Sequence, residues 1–122
     1  MSLTETRKAL FEEIEARSAE IIQLAVDLIR IPSENPPGNV DKIVEFLRKY
    51  LEGSGADVSI IEVAKGKPNL LCETGSKNYS RTLLLNGHVD VVPAGGKEGW
   101  DFDPFGGEIR DGFICGRGAS DM

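Results

Sequence analysis

Histidine is the scarcest chemistry-bearing residue in this chain: there is one, His88, in 122 residues. A site built from several imidazoles of this sequence is therefore excluded, and any reaction that needs a histidine has a single candidate. Cysteine is nearly as rare. Cys72 and Cys115 are too few and too far apart for a disulfide scaffold or a cysteine-based zinc ribbon. Positive charge is short as well, with 14 Lys and Arg against 20 Asp and Glu and no basic run longer than a dipeptide. Nucleic-acid binders usually carry a basic stripe, so no nucleic acid is expected as a partner. No apolar run approaches the ~18 residues of a membrane span, and no membrane association is expected. Met1-Ser2-Leu3-Thr4-Glu5 lacks the charged-then-apolar layout of a signal peptide, and Met1-Ser2-Leu3 is compatible with a cloning remnant. The expectation is a cytoplasmic protein with free thiols. The hydrophobic share of 40% is that of an ordinary globular domain with a respectable core.

What is present reads as alternating helix and strand. Leu10, Ile14, Ile21, Leu24, Ala25, Leu28 and Ile29 recur at three- and four-residue spacing, which predicts one long helix from about Thr4 to Arg30. Thr4 or Thr6 is the expected cap, and Pro32 the stop, because a residue before proline is pushed out of the helical region. Ser33-Glu34-Asn35-Pro36-Pro37-Gly38 is a rigid loop. Asn39 then caps a second helix over Val40 to Leu51, ended by Gly53 and Gly55. Its polar face, Asp41, Lys42, Glu45, Arg48 and Lys49, reads as solvated.

Strands are predicted over Ala56 to Val63 and Asn69 to Thr74, with a turn at Gly75 to Asn78. The continuously apolar Thr82 to Asn86 is expected to be a strand covered on both faces. Glu108 to Cys115, with Asp111-Gly112 at its centre, is a hairpin signal. These elements predict an α/β fold, with helices packed on a mixed, mostly parallel sheet. In open sheets of this kind ligands bind at the carboxyl ends of the strands, where His88 falls.

Chemistry concentrates in three places. His88 and Asp90 stand two apart, so in extended chain they point to the same side. A neutral imidazole is a good zinc ligand, and its second ring nitrogen usually donates to a carboxylate or carbonyl that fixes its tautomer. A core or capping histidine fits the same two residues. Asp121, after the glycine-rich Gly116-Arg117-Gly118-Ala119-Ser120, fits either a carboxylate ligand bridging two metals or a solvated loop acid. In the long stretch from Pro93 to Gly107, Trp100, Phe102 and Phe105 are expected to pack the loop down, leaving Asp101 and Asp103 exposed rather than binding a cation. Cys115 has no free base beside it and reads as structural.

Taken together the segments resemble the N-terminal part of the dinuclear zinc amidohydrolase and peptidase family that includes acetylornithine deacetylase, succinyl-diaminopimelate desuccinylase, aminoacylase and glutamate carboxypeptidase. The resemblance runs through Leu28-Ile29-Arg30-Ile31-Pro32-Ser33, Asn35-Pro36-Pro37-Gly38, Gly87-His88-Val89-Asp90-Val91-Val92-Pro93, Trp100 with Asp103-Pro104-Phe105, and Gly116-Arg117-Gly118-Ala119-Ser120-Asp121-Met122. Each motif alone is weak; five in this order are specific.

The resemblance implies that His88 ligates one zinc, that Asp90 orients His88 as part of the catalytic machinery, and that Asp121 bridges two Zn2+ ions, with Co2+ or Mn2+ as alternatives. The implied reaction is metal-assisted hydrolysis of an amide in an N-acylated amino acid or small peptide, by a full-length protein that is a homodimer. Family members run to about three times this length. After the bridging acid they continue with Lys-Gly-Gly, a Glu-Glu pair, a further acidic ligand, a dimerisation domain and a last histidine. The 122 residues are accordingly expected to be the N-terminal part of an incomplete catalytic domain, inactive alone and at best a weak metal binder. Two other readings stay open: a folded or associating fragment without chemistry, and a related dinuclear aminopeptidase.

Overall fold

The structure, a computed structural model, describes residues 2–75, 78 and 80–122. Ser76 and Lys77, which belong to the expected turn after the second strand, lie outside them. The elements are α1 (Leu3–Ala16), α2 (Ser18–Ile29), α3 (Asp41–Gly53), β1 (Asp57–Ala64), β2 (Lys67–Glu73), a 3-10 turn (Lys97–Gly99), β3 (Glu108–Arg110) and β4 (Phe113–Cys115).

The expected single N-terminal helix is two. The cap is Ser2, not Thr4 or Thr6. Its hydroxyl accepts from the Glu5 amide at 3.3 Å, while the Glu5 carboxylate accepts from the Ser2 amide at 2.7 Å. The Ser2 amide, and after it the Ser2 hydroxyl, hold the Glu5 carboxyl below its usual range. The break falls at Arg17, where φ −102 and ψ 9 leave the helical region. No proline or glycine marks it, so the spacing of apolar residues runs straight through. The two halves differ in what they bury. α1 buries nothing, whereas α2 buries Val26 and Ile29.

α3 begins where Asn39 Oδ1 accepts from the Asp41 amide at 3.1 Å, and Gly55, with φ +81, follows its end. Ile43 and Val44, with Val40, form the core, and Leu28, Ile31, Leu70 and Val89 pack against them. On the outer face Arg48 is not simply solvated. It bonds Glu45 at 2.8 Å and Glu52 at 2.6 Å, and holds the Glu45 carboxyl down to about 2.

The sheet differs most from expectation. β1 and β2 form an antiparallel ribbon, with Val58 opposite Cys72 and Ile60 opposite Leu70, packed on α3. β3 and β4 form a second ribbon, Ile109 opposite Ile114. Its turn has positive φ at both Asp111 (50°) and Gly112 (83°), the two-residue turn that Asp-Gly favours. A mostly parallel sheet is absent among the described residues. Among the described residues the one parallel element is a bridge between Glu34 and Val91. Thr82 to Asn86, expected to be a buried strand, has no strand assignment, and Leu83, Leu84 and Leu85 are 82%, 77% and 83% exposed. A strand exists through hydrogen bonds to a neighbour, and no described segment runs alongside this one. What survives of the fold expectation is its coarse form, helices combined with small sheets. No helix among the described residues is long and apolar enough to cross a membrane.

Candidate metal half-site

Pro32 ends α2 and turns the chain into an extended stretch, Ser33 to Asn35. This stretch pairs with the segment that follows His88. The Val91 amide donates to the Ser33 carbonyl at 3.1 Å, and the Asn35 amide to the Val91 carbonyl at 2.8 Å. Ser33, 2% exposed, adds a side-chain bond from its hydroxyl to the Val89 carbonyl at 2.7 Å. Glu34 Oε1 accepts from the Ala94 amide at 2.8 Å. Residues 89–94 are thereby held from four directions, and His88 stands immediately before them.

The His88 ring is committed on one nitrogen. Nδ1 lies 2.8 Å from the Asp90 carbonyl oxygen and 3.3 Å from Asp90 Oδ1. Both are acceptors at neutral pH, so Nδ1 carries the hydrogen in the neutral ring. The shorter contact is to the backbone oxygen rather than to the carboxylate that sequence reasoning singled out. Nε2 then holds the lone pair and faces Asp121 Oδ1 at 3.1 Å. A lone pair facing a carboxylate is unfavourable, and a proton on Nε2 relieves it. The Asp121 carboxylate, and after it the Asp90 carbonyl, accordingly raise the His88 pKa above its ordinary value. Asp90 is held below the carboxylate range, first by the side-chain amide of Asn35, whose Nδ2 donates to Asp90 Oδ2 at 2.9 Å.

A divalent cation relieves the same conflict as a proton does. Two ligand atoms on one tetrahedral zinc, each about 2.0–2.1 Å from it, stand about 3.3 Å apart. The observed Nε2–Oδ1 separation is close to that, and an imidazole with a carboxylate is a donor set zinc accepts. The pair fits as two ligands. A catalytic zinc ordinarily has three from protein, and no cluster of three or more His, Cys, Asp or Glu suited to a metal occurs among the described residues.

The three residues named from the sequence thus meet at one place, where a cavity of about 360 Å³ is lined by Asn35, His88, Asp90, Arg117, Ser120 and Asp121 among others. His88 is half exposed and Asp121 91% exposed, so the pair is open to solvent. On the other side of His88 a second cavity of about 370 Å³ is apolar, with Leu28, Ile29, Ile43 and Phe105 in its walls. Asp101 and Asp103 are exposed, as expected. Trp100 and Phe102 meet edge to face at 5.5 Å, and Trp100 Nε1 donates to the Ala94 carbonyl at 2.9 Å.

Sequence reasoning missed two residues at the site. The sequence places Asn35 in a rigid loop and in the Asn35-Pro36-Pro37-Gly38 motif of the resemblance but gives it no role at the site; its signal is a polar residue placed before two prolines. Arg117 was read as loop. Its guanidinium lies 5.0 Å over the Trp100 ring, its Nη2 donates to the Pro93 carbonyl at 3.4 Å, and its main-chain amide donates to the Pro104 carbonyl at 2.7 Å. It clasps the aromatic loop to the segment that carries Asp121.

Residues 84–122 match the family model described as Peptidase family M20/M25/M40. The chain is 43% identical over 101 residues to a protein of Cereibacter sphaeroides named succinyl-diaminopimelate desuccinylase, covering 83% of this chain and 26% of that one. Proteins of the same name from Ruegeria pomeroyi and Roseobacter denitrificans are 39% and 36% identical, over 82% and 83% of this chain and 26% of each relative. The chain thus spans about a quarter of the length of the curated relatives it matches.

Proposed function

We propose, from the premise that this chain belongs to peptidase family M20/M25/M40, that it supplies the first metal ligands of an enzyme hydrolysing the amide bond of an N-acylated amino acid or small peptide. The observation that carries this is the pairing of His88 Nε2 with Asp121 Oδ1 at 3.1 Å while Nδ1 is held by Asp90. The relatives' name supports an acyl group such as succinyl over a free amino terminus, and so favours a deacylase over an aminopeptidase.

In this reading His88 and Asp121 would hold the metal, with Asp121 as the ligand common to two ions, zinc being the first choice and cobalt or manganese substitutes. When bound, such ions polarise the substrate carbonyl and lower the pKa of water. The chain's own residues prepare that site. Asp90 keeps the hydrogen on Nδ1, so that the Nε2 lone pair is presented. The Ser33–Asn35 ladder keeps the backbone of residues 89–91 from moving. Arg117 and Trp100 hold the loop that flanks the cavity. The remaining ligands, the general base and the dimerisation domain belong to further sequence of the whole protein, a homodimer in the same reading. Free Cys72 and Cys115 support a cytoplasmic location.

The test is zinc content and N-succinyl amino acid hydrolysis by the intact protein, with His88→Ala and Asp121→Ala beside it. Each substitution is expected to remove bound metal and activity together. Full activity of His88→Ala after chelator treatment sinks the proposal.

A further inference from the structure

We infer that Asn35 is a positioning residue for the His88 imidazole, acting through the Asp90 carboxylate; this rests on the reading of His88 as a metal ligand. The geometry is a relay of three side chains. Asn35 Nδ2 donates to Asp90 Oδ2 at 2.9 Å, the other oxygen of the same carboxylate stands 3.3 Å from His88 Nδ1, and His88 Nε2 faces Asp121. An ionised carboxylate only accepts, so the Asn35 group facing it is the amide nitrogen. One oxygen is anchored so that the other stays beside the ring.

The surroundings of Asn35 are shaped for this task. Its own amide is fixed to the Val91 carbonyl, which puts residue 35 opposite the segment that leaves Asp90. The turn after it closes with the Gly38 amide donating to the Glu34 carbonyl at 2.9 Å. Gly38 is buried with φ +79, and a Cβ there would stand 2.9 Å from Asn35 Oδ1, closer than real Cβ atoms approach. Glycine at 38 is what leaves room for the Asn35 side chain in its donating orientation. Asn35 also lines the cavity onto which His88 and Asp121 open.

The test uses these 122 residues with Asn35→Ala and Asn35→Asp. His88 is the one histidine, so its ring nitrogens give a single set of NMR signals, read at a pH where the ring is neutral. In the unsubstituted chain the Nδ1–H form dominates. The Asp90 carbonyl still accepts from Nδ1 at 2.8 Å in the variants, so loosening the carboxylate transmits only part of one ordinary hydrogen bond and lowers the ratio of Nδ1–H to Nε2–H by about 2–3-fold. Asn35→Asp keeps the size and turn preference of the residue but sets a carboxylate against a carboxylate, so it lowers the ratio at least as far. Zinc titrated against the same signals binds about 10–100-fold more weakly in both variants. Asn35→Asp with an unchanged ratio overturns the inference, whatever Asn35→Ala does to folding, because the residue then serves only its own turn. An altered ratio in a chain whose His88 signals never respond to zinc leaves the relay standing and removes the ligand reading. An unchanged ratio with intact zinc binding does the reverse.

Discussion

Ser33→Ala isolates the buried bond beneath His88. Ser33 is 2% exposed, and its hydroxyl donates to the Val89 carbonyl at 2.7 Å, one residue from the imidazole. Alanine fits the space but leaves that carbonyl without its side-chain donor. A buried acceptor left unpaired costs about 1–3 kcal/mol, against about 0.5–1.5 kcal/mol for the net worth of an ordinary hydrogen bond. The burial of Ser33 argues for the larger figure. Its main-chain bond to Val91, and that of Asn35, survive the substitution, so the backbone pairing is not itself broken. The expected loss of about 1.5 kcal/mol is a little over tenfold in the folding constant. With a urea m-value of roughly 1–3 kcal/mol per molar, the midpoint falls by about 0.5–1.5 M with m unchanged. Ser59→Ala, at an exposed position on β1, is the control and stays within about 0.5 kcal/mol. A Ser33→Ala midpoint that matches this control refutes the claim that the 33–35 stretch anchors the site by side chain as well as backbone.

Other outcomes follow from the same contacts. The His88 pKa is raised in the folded chain, so its protonated ring favours folding. That stabilisation is present below the ordinary histidine value of about 6.5 and is lost as pH rises through the folded value; Asp121→Asn lowers the NMR titration midpoint of His88, and an unmoved midpoint refutes the Nε2–Asp121 contact. Gly112→Val forces a branched residue into φ +83 and costs about 1–2 kcal/mol, read as a lower melting temperature; an unchanged melt means the hairpin turn is not formed as described. Leu83→Thr with Leu85→Thr, two of three consecutive exposed leucines, lowers the weight-average mass of the chain in sedimentation at high concentration, and equal masses would show that the segment drives no association.

How much was legible in the sequence depends on how local each feature is. Pro32 ended α2 as read, because the clash it causes lies within its own neighbours. Val40, not Asn39, is the N-cap of α3, although Asn39 Oδ1 accepts from the Asp41 amide at its start; Asp111-Gly112 turns its hairpin by short-range chemistry of the same kind. Thr82 to Asn86 failed for the opposite reason. Its apolar run records a preference for burial, but burial and pairing need a partner segment, which no local pattern supplies. The break at Arg17 had no signal because apolar spacing continues across it. At the site, His88, Asp90 and Asp121 could be named from residue type and from resemblance. The role of Asn35 could not, since 55 residues separate it from Asp90 and the pairing of residues 33–35 with 89–94 is what brings them together.

That division bears on what the half-site can do alone. The contacts that orient His88 come from residues 33–35 and 89–91, which fold against α2 and α3 inside the described chain. Orientation is therefore in place without further ligands, and the ring's tautomer is set before any cation arrives. Affinity is another matter. Two donors, one of them 91% exposed, leave most of a cation's coordination to water. A proton needs only the pair, so at low pH it outcompetes zinc for Nε2, and zinc gains as pH rises past the raised His88 value. Zinc binding to this chain is thus expected to be weak, to release a proton and to strengthen with pH, which isothermal titration in buffers of different ionisation enthalpy measures directly. Binding that is tight and independent of pH would mean that His88 is not the ligand.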